Sequence, residues 1–169
     1  SETGQLDALA VHSNNPVVDV ILNQKYAQAC ELGIQMDFAI NDLAKFPLSN
    51  KEAVVVLSNL LDNAIEACKT QKGTRLIRVK IQCSEEKTVL SVMNTIDKAP
   101  VMENGLPVTT KADPLAHGYG LQNIISILAE HGSCPAILCQ DGWFQFSTVL
   151  FQQAVSPALE HSQLAQNST

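Results

Sequence analysis

Apolar residues recur along this chain in two periods, and each change of period marks a boundary between elements. Val17, Val18, Ile21, Leu22, Tyr26, Ala29 and Cys30 return at helical spacing to about Leu32. Asn15-Pro16 supplies a cap and a first-turn proline in front, and Gly33 a stop behind. Ile34, Met36, Phe38 and Ile40 then alternate with Gln35, Asp37 and Ala39, the pattern of a half-buried strand. Pro47-Leu48-Ser49-Asn50 breaks the chain, and Ser49 or Asn50 caps a second helix running to about Thr70. Two apolar runs, 76–83 and 89–94, read as a hairpin joined through Ser84-Glu85-Glu86-Lys87. Residues 95–118 carry three Pro and two Gly and no period, so they read as a long irregular connection, a feature usually tied to function. Helical spacing returns from Tyr119 to His131 through Leu121, Ile124, Ile125 and Leu128, with Gly132 at its end. Residues 135–139 and 143–151 form a last hairpin, turned at Asp141-Gly142.

This order predicts an α+β fold: a two-layer sandwich in which about three helices cover one face of a mixed, mainly antiparallel sheet. One domain is expected over residues 15–153, with 1–14 as linker or appended residues and 154–169 as a frayed, disordered tail. No internal repeat is visible.

The second helix holds the densest chemistry. Leu57, Leu60, Leu61, Ala64, Ile65 and Cys68 share one broad apolar face, while Asn59, Asn63 and Glu66 stack on the other. Asn is costly to bury unpaired, so two of them one turn apart amid apolar residues suggest a polar ligand; the plainer reading is a solvated helix face. A second candidate lies in the long connection. Thr109-Thr110-Lys111 offers hydroxyls and a cation, and His117-Gly118-Tyr119-Gly120-Leu121 leads into a helix. Glycines before a helix N-terminus let an anion approach free N–H groups at the positive end of the helix dipole.

Composition narrows the classes. At 169 residues the chain can build one real core, and its apolar fraction of 46% is that of a globular protein. The net charge of −6 argues against a nucleic-acid surface built on bulk positive charge. No run is long and apolar enough to span a bilayer, no basic-then-apolar leader is visible, and no membrane contact is expected. The five Cys lack Cys-x-x-Cys spacing and are expected to be reduced core thiols of a cytosolic protein. The four His (His12, His117, His131, His161) are scattered without metal-ligand spacing.

Asn59-Leu60-Leu61-Asp62-Asn63-Ala64-Ile65-Glu66-Ala67 resembles the N box of the Bergerat-fold (GHKL) ATPases. Thr109-Thr110-Lys111 and Gly118-Tyr119-Gly120-Leu121 resemble the F box and later glycine box of the sensor histidine kinases within it. Order and spacing match over about residues 15–151, and the form is most similar to the AgrC-type quorum-sensing receptor kinases. The resemblance implies that Asn63 holds Mg²⁺ bridging the phosphates of ATP and that Asn59 lines the same pocket. It assigns Thr109, Thr110, Lys111, His117, Gly118, Tyr119, Gly120 and Leu121 to the nucleotide, with Lys111 and Asn63 serving the transfer. The usual Asp-x-Gly-x-Gly after the N box is replaced by Asn94-Thr95-Ile96-Asp97, so adenine falls to Asn94, with Asp97 as competitor. Glu66 stands where many members carry Lys or Arg; it either orients a metal-bound water or is a solvated residue.

No His has the helical, acid-flanked setting of a phosphoacceptor. The chain is therefore expected to be an excised catalytic domain, cytoplasmic and belonging to a membrane-anchored receptor. Its partners would be the histidine-bearing dimerisation domain of the same kinase and a downstream response regulator. The rivals are a GHKL-type protein serine kinase, like the anti-sigma factors, and a non-catalytic nucleotide- or protein-binding module.

Overall fold

A computed structural model describes residues 11–108 and 114–152, with the backbone alone for 114–119. Helix α1 (Pro16–Glu31) begins at Asn15, whose side chain accepts from the Val18 N–H at 3.2 Å. It ends in a Schellman turn: the Gly33 N–H donates to the Cys30 carbonyl at 3.1 Å and the Ile34 N–H to that of Ala29 at 2.9 Å. That turn needs the left-handed backbone Gly33 adopts, φ +70°. Strand β1 (Gln35–Ile40) follows, with Met36 buried and Gln35 and Asp37 exposed.

Helix α2 (Asn50–Lys69) is capped by Ser49, not Asn50. The Ser49 Oγ accepts from the Glu52 N–H at 3.1 Å while Glu52 Oε1 accepts from the Ser49 N–H at 3.0 Å, a closed capping box. Its apolar face buries Leu57, Leu61, Ala64, Ile65 and Cys68, each at most 2% exposed. Strands β2 (Leu76–Cys83) and β3 (Lys87–Thr95) form the expected hairpin.

The long connection departs from its expected irregularity. Strands β4 (Met102–Glu103) and β5 (Leu106–Pro107) make a small hairpin turned at Asn104-Gly105, with φ of 53° and 76°. Asn-Gly is the favoured pair for such a primed turn, a signal hidden in the sequence by two-residue strands too short to show alternation. Helix α3 (Pro114–Glu130) also begins earlier than the apolar period suggests, at Pro114 instead of Tyr119. Proline fits a first helical turn because its missing N–H has no partner there anyway. Gly118 and Gly120 thus lie inside the helix, not in a loop before it. Strands β6 (Ala136–Gln140) and β7 (Trp143–Phe151) complete the described sheet through the Asp141-Gly142 turn.

The five-stranded sheet runs β1-β2-β3-β7-β6, parallel only between β1 and β2. The helices supply one layer and the sheet the other, with the core between them from Val18 and Leu22 through Leu57 and Leu61 to Ile77, Leu90, Phe146 and Leu150. The packed body starts before the expected residue 15: Val11 is buried, and the Asn23 carboxamide brackets its backbone with two 2.9 Å bonds. Of the thiols only Cys68 is buried; Cys30 and Cys134 are exposed, against the expectation of core cysteines. All five are free. Among the described residues no helix is long and apolar enough to cross a membrane.

Candidate functional site

The C-terminal half of α2, the end of β3 and the β4–β5 hairpin enclose a cavity of about 780 Å³. Its volume lies within the range of small-molecule sites. Leu60, Ala64, Val92, Leu121, Phe144 and Phe146 give it an apolar floor, and the hairpin, through Leu106, Pro107 and Val108, an opposite wall. Polar groups are few: Asn63 and Glu66 from α2, Gln71 beyond its end, Asn94 from β3, Asp97 and Lys98 after it, and Gln122 from α3. Glu66, Asp97 and Glu103 carry negative charge where Lys98 is the one described cationic side chain, so an anionic ligand would need a counter-cation.

The sequence candidates divide. Asn63 and Leu121 line the cavity, as do Asn94, Asp97 and Glu66. Asn63 is half-buried and lines the cavity, and among the described residues no group bonds its carboxamide. Glu66 is exposed and lies 3.4 Å from Lys69. Asn59, one turn earlier, packs instead against α3: a Cβ on Gly120 would stand 3.4 Å from Asn59 Oδ1 and 3.5 Å from its Cγ. These are ordinary contact distances, so α3 packs closely on Asn59 here without requiring glycine at position 120. Thr109, Thr110 and Lys111 lie outside the described residues, and His117, Gly118 and Tyr119 are placed by backbone only, within the first turns of α3.

Asn94 is 3% exposed and its Nδ2 donates to the Thr95 carbonyl at 3.1 Å. Asp97 is exposed and differently employed: its Oδ2 accepts from the Lys72 N–H at 2.9 Å and holds the Lys72-Gly73 turn. Gln71, which the sequence reading did not single out, is 4% exposed. It donates to the Ala67 carbonyl at 3.1 Å and to that of Thr95, and its Oε1 accepts from the Thr95 hydroxyl at 2.9 Å. Burial pushes the thiol of neighbouring Cys68 above its ordinary range, so it stays protonated and unreactive at neutral pH.

Outside the cavity, Glu52 Oε2 meets His131 Nε2 at 2.9 Å and ties the first turn of α2 to the end of α3. His12 is exposed, before α1 and 3.9 Å from Asp19. A second concavity, about 810 Å³, lies on the uncovered sheet face between Arg78, Lys80, Val89 and Val149 and contains none of the candidates. Among the described residues no cluster of His, Cys, Asp and Glu has the makings of an all-protein metal cage.

Residues 48–151 match the family model of the GHKL domain, so the chain belongs to the GHKL domain family. No curated protein matches it by sequence. Its fold is shared with the catalytic domain of the histidine kinase ThkA, with TM-score 0.62 and 20% identity, covering 83% of this chain and 94% of that one. The Acinetobacter baumannii histidine kinase AdeS aligns with TM-score 0.57 and 15% identity over 90% of this chain and 72% of its own. Full-length ShkA, solved in complex with AMPPNP, aligns with TM-score 0.60 and 17% identity over 89% of this chain and 32% of its own.

Proposed function

We propose that this chain is the ATP-binding catalytic domain of an AgrC-type sensor histidine kinase, which passes the γ-phosphoryl group of Mg-ATP to a histidine on a separate dimerisation domain. The observation that carries this reading is the cavity that a GHKL-family chain forms between Asn63 and Asn94, apolar on its floor and polar at its rim. Two relatives of the same fold support it: ShkA holds AMPPNP, and ThkA has been solved with the response regulator TrrA.

In this reading the adenine lies on the apolar floor and its amino group donates to Asn94 Oδ1. The residues present fit a magnesium ion: Asn63 offers a hard, neutral oxygen, Glu66 can hold a metal-bound water, and the phosphates supply the remaining ligands. When bound, Mg²⁺ draws charge from the phosphate oxygens. The resemblance would give the charge of the transferred group to Lys111, with Thr109 and Thr110, and to the N–H groups opening α3. The bond from Pγ to the β–γ bridging oxygen breaks, a bond to an imidazole nitrogen forms, and ADP leaves; the imidazole proton goes to a base on the acceptor's own domain. The protein's contribution is positioning and charge stabilisation. The full receptor is membrane-anchored, and this domain is cytoplasmic.

The test is phosphotransfer from labelled ATP. Acid-labile, base-stable label should appear on an added dimerisation domain bearing its acceptor His, and none on this chain alone. Acid-stable label on a serine of a partner would replace the reading with the serine-kinase one. ATP binding with no transfer to any cognate acceptor would replace it with the non-catalytic one.

A further inference from the structure

We propose that the Thr95 carbonyl locks the Asn94 carboxamide in one orientation, so that the cavity takes 6-aminopurine nucleotides and rejects 6-oxopurine ones. Gln71 and Thr95 are then positioning residues for base selectivity. The inference rests on the nucleotide reading above and goes beyond it. A carboxylate presents two equivalent acceptors and cannot be turned the wrong way. A carboxamide has a donor end and an acceptor end of nearly equal shape. Free to flip, Asn94 would accept from an adenine amino group in one pose and donate to a hypoxanthine or guanine carbonyl in the other.

The structure fixes one pose. Asn94 Nδ2 lies 3.1 Å from the Thr95 carbonyl, a group that can only accept. Turned over, Oδ1 would face that oxygen lone pair to lone pair, in a residue 3% exposed where little water can intervene. The Thr95 carbonyl is itself held from several directions. Gln71 Nε2 donates to it, which fills its second lone pair. Gln71 is anchored by the Ala67 carbonyl and by the Thr95 hydroxyl. The Leu76 N–H donates to Thr95 Oγ1 at 3.1 Å, and the Ile96 N–H to the Gly142 carbonyl at 2.9 Å, which pins the strand end on both sides.

The remaining atom, Asn94 Oδ1, receives no hydrogen bond from any described residue. Among those residues no buried side-chain oxygen or nitrogen lacks a partner. Asn94 lines the cavity, and Oδ1 is the atom that this proposal has it offer there. One consequence is counterintuitive. Aspartate at position 94 keeps an acceptor for the amino group, yet it sets a negative oxygen against the Thr95 carbonyl, so it is not equivalent to asparagine here.

The experiment compares ADP with inosine diphosphate, which differs at the base by an oxo group in place of the amino group, using calorimetry on the whole chain. The wild-type chain should bind ADP at least about tenfold more tightly. Asn94→Asp should lose about tenfold or more of ADP affinity at about pH 8. It should recover part of it at about pH 5.5, where a protonated carboxyl can again donate to Thr95. Gln71→Leu should narrow the ADP preference while the affinity for magnesium tripolyphosphate, which has no base, stays as in wild type. Equal binding of the two nucleotides by the wild-type chain overturns the proposal, and so does full ADP affinity in Asn94→Asp at about pH 8. Either result leaves the nucleotide reading standing. Failure of the wild-type chain to bind any purine nucleotide removes both. The wild-type comparison needs no variant to fold.

Discussion

Asn59 and Asn63 stand one turn apart on the same helix and meet different surroundings. Asn63 looks into the cavity and Asn59 into the approach of α3 at Gly120. Asn63→Ala should therefore abolish the gain in ATP affinity that magnesium brings, measured by calorimetric titration with and without the metal, while barely moving thermal stability. Leu61→Ala, on the opposite face and fully buried, should do the reverse and cost about 2–5 kcal/mol in denaturant unfolding. The pair stood out because two polar residues amid apolar ones interrupt a helical pattern, but that pattern could not tell Asn63, which lines the cavity, from Asn59, which meets α3 instead. Gln71 and Thr95 did not stand out. Their roles depend on a chain reversal that brings the end of α2 to the end of β3, and nothing local in the sequence records that meeting.

At the scale of elements, most of what the sequence implied stands because local signals agreed with packing. The capping box at Ser49, the Schellman turn at Gly33 and the Asp141-Gly142 hairpin each join a residue preference to a backbone demand. Ser49→Ala should cost about 1 kcal/mol of stability through loss of the cap. Glu52 closes that box and also meets His131. Burial works to raise its pKa, but the bonds from the Ser49 backbone, His131 and the Ser49 hydroxyl outweigh it, and the net direction is downward. A carboxylate lowered on folding stabilises above its unfolded pKa, and that contribution is lost as pH falls through the folded value. The stability gap between the wild-type chain and Glu52→Gln, followed by urea unfolding, should therefore close as pH drops below about 4.5 and stay open near neutrality. The boundaries that escaped the sequence, at β4–β5 and Pro114, lie where elements are two residues long or begin before their first apolar residue. The hairpin walls the cavity, so its amides should exchange slowly only with nucleotide bound; protection equal with and without ATP would deny it the part of a lid. Gly105→Val should weaken ATP binding, because valine resists φ near +76° and would spoil the turn.

For the whole molecule, the α+β sandwich was legible from the order of elements, whereas strand order was not, because hydrophobic period says which face is buried and nothing about neighbours. The sheet places β7, last among the described strands, between β3 and β6. Phe144 and Phe146 from that strand complete the cavity floor, next to Val92 from β3. During synthesis, then, β3 emerges and waits with one edge bare until some fifty further residues have been made. A ribosome stalled before Trp143 would hold a nascent chain with Asn63 already made and the two phenylalanines of the floor still missing. Ligand capture would mark the moment when translation has delivered the final strand.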